Sequence, residues 1–310
     1  MQEVRTDELT GTTAIVAPGR ATRPVVFANS SSVPSAPPPD CPFCPGHESM
    51  TPPEVARKGG GAADTPGWQV RVVPNLYPIV DGGRDGLGAH EVIVSSPAHD
   101  RQLDALSLDA ATAVFVMMRD RAAHHLDAGL TYAAPFVNSG RPSGASIEHP
   151  HAQLVALSFV PPLVDTLLAR FARAGRDLVV DNIDAAADRA CLVRKAGAVS
   201  WCPPGGSTPY VVRIALPTAG PCFDRSTHAD LEHFTEAVQD ALARLHATLG
   251  DIAYNVVVHS APRADRRPFH WWADVTPRVG VYGGFELGTG VWVNPVAPEH
   301  AAATLRDTQP

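Results

Sequence analysis

The strongest constraint on this chain is an internal echo. Moving the first half forward by 121 positions brings a helix start, a strand end and a histidine-rich segment into coincidence. Ser107 falls on His228, Asn138 on His259, His149 on His270 and His151 on Trp272. One offset shared by helix, strand and loop implies a duplicated α+β unit; the alternative is two unrelated amphipathic helices of similar length. The first copy reads as a helix over 107–126 and a strand over 130–138, with Ser107 as N-cap and Ala113, Val116, Met117 and Ala123 on one face. The second reads as a helix over 228–249 closed by Gly250, then a strand over 252–259 and an extended segment over 269–275.

The rest of the chain fills in around these units. Positions 11–16 and 25–28 are β-like, 29–66 is rich in Ser, Pro and Gly and reads as irregular, and 68–74 and 90–95 read as strands flanking a Gly-Asp loop at 81–88. The expected fold class is α+β, with antiparallel sheets, packed helices and units over 1–165 and 166–310. At 310 residues and 45% apolar composition the chain can bury a full core, and a net charge of −7 argues against nucleic acid as a partner. No apolar run reaches the ~18 residues that span a bilayer, so no membrane partner is expected. The acidic N-terminus lacks the apolar core of a secretion signal, which points to a cytoplasmic location.

Five cysteines scattered through such a length do not form a disulfide framework. Cys41-Pro-Phe-Cys44 stands apart, because two thiols separated by two residues can grip one ion from a single turn. Redox use is the alternative, but it expects a helix start after a strand, and this pair sits in a proline-rich loop. Cys191, Cys202 and Cys222 read as small buried apolar residues. Of the 13 histidines, His124, His125, His228, His233 and His246 lie in or beside helical patterns and read as surface residues.

His149-Pro-His151 ends a stretch of two glycines, three serines and an arginine, 139–146, suited to presenting N–H groups and charge to a phosphate. Residues two apart on a strand share a face, so His149 and His151 can serve one pocket. A neutral imidazole beside a bound phosphate is a competent nucleophile, and Gln153 can bond an oxygen on which charge builds. A zinc site alone is the other reading of the histidine pair. Trp272, at the matching place in the second copy, cannot attack phosphorus, so that copy is expected to supply binding surface and fold.

Cys41-Pro-Phe-Cys44, Asn138-x-Gly-x-x-x-Gly-x-Ser146, His149-Pro-His-x-Gln153 and the glycine-rich 283–290 resemble the galactose-1-phosphate uridylyltransferase family of the histidine-triad superfamily. The likeness runs nearly the full length and includes the segment 17–24, with Arg20 and Arg23, and the strand ending at Asn75. It implies two tandem histidine-triad-like units in a homodimer that acts on a nucleotide sugar and a sugar phosphate. His151 would attack the α-phosphorus of a nucleoside-diphosphate hexose, most simply UDP-glucose, and a hexose 1-phosphate such as galactose 1-phosphate would then take the nucleotide. The carbonyl of His149 would orient the nucleophile, and Gln153 and Ser146 would hold phosphate oxygens. Asn75 and Asn138 would place the nucleotide, Arg20 and Arg23 the sugar phosphate, and Glu286 the sugar hydroxyls. A structural zinc maps onto Cys41, Cys44, His99 and His149, with His90 as a weaker third ligand that its strand position makes a packing or polar residue.

The pattern departs from the family in the second copy. His259 and His270 remain, but Trp272 replaces a histidine and no C-x-x-C or matching glutamate occurs over 165–200, so a second metal site is not expected. That replacement and the 283–290 loop also resemble the ADP-glucose phosphorylase branch, in which inorganic phosphate accepts the nucleotide. The segment 180–225 fits the family poorly, leaving sugar and acceptor open. A third reading is a zinc-stabilised nucleotide-binding protein without turnover.

Overall fold

A computed structural model of the chain describes residues 2–20, 39–82 and 86–308. The strand read at 25–28 lies outside them. The N-terminal strands β1 (Glu3–Thr6) and β2 (Thr13–Val16) form a hairpin. The first half then runs through β3 (Ala56–Gly59), β4 (Trp68–Pro74), β5 (Gly88–Val94), α1 (Leu108–Asp127), β6 (Tyr132–Ser139) and β7 (His151–Leu157). Helices α2 (Pro162–Ala174) and α3 (Leu178–Asp188) lead into β8 (Leu192–Ala196), β9 (Ala198–Trp201) and β10 (Val212–Ala215). The second half continues with α4 (His228–Leu249), β11 (Tyr254–His259) and β12 (Trp272–Pro277). It ends with α5 (Gly284–Thr289), β13 (Val291–Asn294) and α6 (Pro298–Asp307).

Ten strands form one antiparallel sheet in the order β3-β4-β5-β7-β6-β11-β12-β10-β9-β8. Read outward from the β6–β11 seam, the two halves repeat the same sequence of strands, as a duplicated unit requires. The register carries the repeat to single residues. Val92 opposes Gln153 across β5 and β7, and Arg213 opposes Asp274 across β10 and β12, each pair displaced by the 121-residue offset. A smaller sheet, β1-β2-β13, joins the N-terminal hairpin to a parallel C-terminal strand.

Alternation along the strands sets the two faces of the large sheet. Ile93, Ala152 and Leu154 belong to one core with Val114, Phe115 and Met118 of α1 and Phe234, Val238 and Leu242 of α4. The rings of Phe115 and Phe234 meet edge to face at 5.0 Å, where the two helices pack together. Burying each such side chain contributes roughly 1.5–3 kcal/mol, so this face holds the halves together. Val92 and Val94 point the other way, into a smaller cluster with Phe43, Trp68, Val73 and Cys41. That second face carries the site.

Most elements stand where the sequence places them. α1 starts after Ser107, whose hydroxyl accepts from the Ala110 N–H at 3.3 Å. α4 covers 228–249, capped one residue earlier by Thr227 in a reciprocal capping box with Asp230. Two strands start late, β11 at Tyr254 and β12 at Trp272. Within 39–66, β3 forms despite the Ser-Pro-Gly-rich composition, because it has the paired edge of β4 to build on. Residue 165 lies inside α2, and the sheet continues across the seam. Among the described residues no helix is long and apolar enough to cross a membrane.

Candidate active site

The loop before β3 and the entry to β7 meet beneath the small cluster. Cys41, Cys44, His99 and His149 each bring one ligand atom to a common point, all four within 4.8 Å of one another. Nδ1 of His149 lies 3.7 Å from Cys41 Sγ and 3.6 Å from Cys44 Sγ, and Nδ1 of His99 lies 3.5 Å from Cys44 Sγ. Tetrahedral Zn–S and Zn–N bonds place sulfur and nitrogen about 3.6 Å apart, so the four side chains already stand at metal-shell spacing. Nε2 of His149 donates to the Ser96 carbonyl at 2.7 Å, which leaves the Nδ1 lone pair free to ligate. Burial, reinforced by Cys41, pushes the Cys44 thiol up to about 11, and burial pushes the His149 imidazole down to about 4. Thiols in such a place need a cation to become thiolates, and the unprotonated imidazole is already in ligand form. The cluster can hold one metal ion. His90 is not part of it.

His151, the first residue of β7, turns to the other side of this knuckle. Its Nδ1 lies 2.8 Å from the His149 carbonyl, the partner the family resemblance implied. A carbonyl only accepts, so Nδ1 carries the proton and the lone pair sits on Nε2. Burial lowers the basicity of the ring, while the His149 carbonyl partly opposes that shift, and the neutral form prevails. Phe43, between the two cysteines in sequence, packs edge-on against the His151 ring at 5.4 Å and against His149 at 6.1 Å. The Cys41–Cys44 loop therefore also positions the imidazole.

A cavity of about 410 Å³ opens over His151, lined also by Gln153, Asn75, Ser146, Tyr77 and Val92. It is large enough for a nucleotide-sized ligand. Gln153 follows His151 by two residues on the same strand face, and its Oε1 lies 2.9 Å from Nε2 of His90. Asn75 accepts the Tyr77 N–H on Oδ1 at 2.9 Å, so its amide nitrogen is left as a donor. Ser146 is exposed at the cavity wall, after the glycine-rich turn in which Gly140 and Gly144 take positive φ values of 79° and 97°.

Asn138 stands beside this turn, at the end of β6. Its Oδ1 accepts from Asn255 Nδ2 at 2.7 Å, and the same nitrogen donates to the Ser143 carbonyl at 3.0 Å. Asn255 belongs to β11, so the second half holds the loop of the first. The sequence reading missed Asn255 and Phe43, and reached His90 only as a weak ligand. Of the expected surface histidines, His124, His228 and His233 are exposed, whereas His125 bonds Glu91 at 2.9 Å and His246 bonds Asp104 at 2.8 Å in half-buried places. Cys191, Cys202 and Cys222 are buried free thiols, as expected.

The remaining expected contacts lie elsewhere. Arg20 is exposed at the end of a short 3-10 turn over Pro18–Arg20, outside the cavity lining. Glu286 caps its own helix, accepting from the Gly283 N–H at 3.0 Å, and also lies outside that lining. Arg23 falls outside the described residues. In the second half, His270 bonds Asp177 and the Leu216 carbonyl, while His259 stacks on Trp272 at 4.7 Å and lies 3.3 Å from Asp274.

The chain and its fold have known counterparts. Over 332 aligned residues the chain is 28% identical to the ADP-glucose phosphorylase of Arabidopsis thaliana, covering 98% of this chain and 92% of that protein. It is 21% identical over 240 residues to the galactose-1-phosphate uridylyltransferase of Thermotoga maritima, covering 72% and 74%. The crystal structure of the Arabidopsis thaliana ADP-glucose phosphorylase with bound ADP-glucose superposes with a TM-score of 0.88 at 27% identity, over 100% of this chain and 99% of that one. The likeness to the uridylyltransferase family and its phosphorylase branch, and the α+β fold it implied, are thereby borne out. A family model described as a domain of unknown function, DUF4921, matches residues 77–308, and the chain belongs to that family.

Proposed function

We propose that the protein moves a nucleoside monophosphate from a nucleoside-diphosphate hexose to inorganic phosphate through a covalent nucleotidyl-histidine at His151. The observation that carries this reading is the His151 ring itself, with Nδ1 held 2.8 Å from the His149 carbonyl at the floor of a 410 Å³ cavity. The Nε2 lone pair attacks the α-phosphorus. The bond from that phosphorus to the bridging oxygen breaks, and hexose 1-phosphate leaves with the electron pair. Positive charge that grows on the imidazole is met by the His149 carbonyl through the Nδ1 proton, which stays in place. A phosphate oxygen then attacks the same phosphorus, the P–N bond breaks, and a nucleoside diphosphate departs. Gln153, Asn75 and Ser146 offer donors to the phosphoryl oxygens as charge builds. Asn138 shapes the glycine-rich turn.

Zinc suits a closed set of two thiolates and two imidazoles, held by Cys41, Cys44, His99 and His149. With no open position for water it would act as a clamp that fixes the Phe43–His151 contact. Arg20 and Arg23 enter this reading as contacts for the sugar phosphate and Glu286 as a contact for sugar hydroxyls, in a homodimer working in the cytoplasm.

Phosphate is placed first as acceptor because the phosphorylase likeness extends over 98% of the chain. Transfer of UMP from UDP-glucose to galactose 1-phosphate is the second reading, favoured by the Thermotoga maritima uridylyltransferase likeness. Incubation with ADP-glucose or UDP-glucose, followed by intact mass, should show a nucleotidyl adduct that maps to His151. Discharge by phosphate supports the phosphorylase, and discharge by galactose 1-phosphate supports the transferase. Tight binding of nucleotide sugar without any adduct would leave only a binding protein.

A further inference from the structure

His90 has no place in the metal shell and does not touch the His151 ring, yet it is 8% exposed and bonded on both ring nitrogens. The Ile79 N–H donates to its Nδ1 at 3.3 Å, and a nitrogen that accepts carries no proton. In a neutral ring the proton is then on Nε2. That nitrogen lies 2.9 Å from Gln153 Oε1. Asn75 Nδ2 lies 3.2 Å from the same nitrogen. Asn75 Nδ2 is also a donor and cannot share that proton, so Gln153 is its acceptor. Burial lowers the basicity of His90, which keeps the ring neutral.

An amide whose oxygen is occupied presents its NH₂ group to whatever lies on its far side. We infer that His90 is a positioning residue, which fixes Gln153 with its amide donor, rather than its carbonyl, turned to the phosphoryl group carried by His151. A flipped Gln153 would aim a carbonyl dipole at the developing negative charge and repel it. Ile79, His90 and Gln153 thus form a one-way relay of hydrogen bonds from the strand β5 side into the cavity. The inference rests on the nucleotidyl-histidine reading of that cavity.

The test joins kinetics to an activity-independent readout. Long-range ¹⁵N–¹H NMR of the unliganded protein should show His90 Nδ1 unprotonated and Nε2 protonated. His90→Leu removes the donor and should slow adduct formation about 10- to 100-fold, in kcat rather than KM, the scale of one misplaced oxyanion donor or less. His90→Gln, which returns an N–H near the Nε2 position, should recover the rate to within about threefold. In a Gln153→Ala background, His90→Leu should change the rate by less than about twofold, because its target is gone. An equal loss in both backgrounds, or an Nδ1–H tautomer, overturns the inference. A wild-type protein that forms no adduct overturns the transfer reading instead, and the tautomer measured in that sample still decides the relay.

Discussion

Val92, His151 and Gln153 in the first half stand where Arg213, Trp272 and Asp274 stand in the second, on the same strands of the same unit. In the first half this face is a cavity around one neutral imidazole. In the second half the same face is filled. Arg213 donates to Asp274 at 2.8 Å, to Asp7 at 2.9 Å and to Asn182 at 3.2 Å, and Trp272 is stacked between His259 and Phe171. A residual space of about 180 Å³ remains beside this network. The comparison shows one scaffold used twice, once around an open cavity beside an imidazole and once around charges kept paired.

The largest effect should separate the halves outright. His151→Ala should lower adduct formation by at least about 1,000-fold, the scale of losing a covalent nucleophile, with melting temperature and metal content retained. Adding Trp272→His to that variant should restore nothing, since Arg213 and Asp274 occupy the mirrored floor. An adduct at residue 272 would break the comparison. Next, Cys41→Ser should release the metal and lower the melting temperature by many degrees, because structural metal binding is coupled to folding. Metal analysis and calorimetry check it, and an unchanged melting temperature would count against the clamp.

In the second half, Arg213→Met should destabilise by about 3–5 kcal/mol in urea denaturation, since two buried carboxylates lose their partner. The pH dependence of the same pair sharpens the point. Burial alone would raise the Asp274 carboxyl, but the Arg213 guanidinium, helped by His259, holds it well below the usual carboxylate range. A depressed group stabilises fully above its unfolded value, near 4, and that contribution fades as pH falls below it. The wild-type protein should therefore be insensitive to this group between pH 7 and 5. In Arg213→Met the sign reverses, and melting temperature should rise as pH falls over that window.

The smallest test compares helix starts. Thr227→Ala breaks a two-way capping box on α4 and should lower stability by about 1 kcal/mol. Ser107→Ala on α1 loses one bond of 3.3 Å and should lower it by about 0.5 kcal/mol, read from the same denaturation curves.

The duplicated unit was legible because helix caps and strand ends are local signals that recur at one offset. Cys41, Cys44, His149 and His151 were legible because spacing of two or three residues fixes their geometry before any folding. His99 came only through the family likeness. His90 and Asn255 were not legible, since their partners lie 63 and 117 residues away and only the strand register joins them. β9 and β10 escaped for a different reason. Their residues are buried on both faces and do not alternate as a half-solvated strand would.

One bond across the seam ties the two halves together. With Asn255 gripping the turn beside Asn138, and β6 paired along four residues of β11, the first half leans on the second. Cut free, the first half would bare an unpaired edge strand and lose the brace under its glycine-rich turn. The second half is therefore not expendable: β11 and Asn255 buttress the edge strand and the glycine-rich turn of the first.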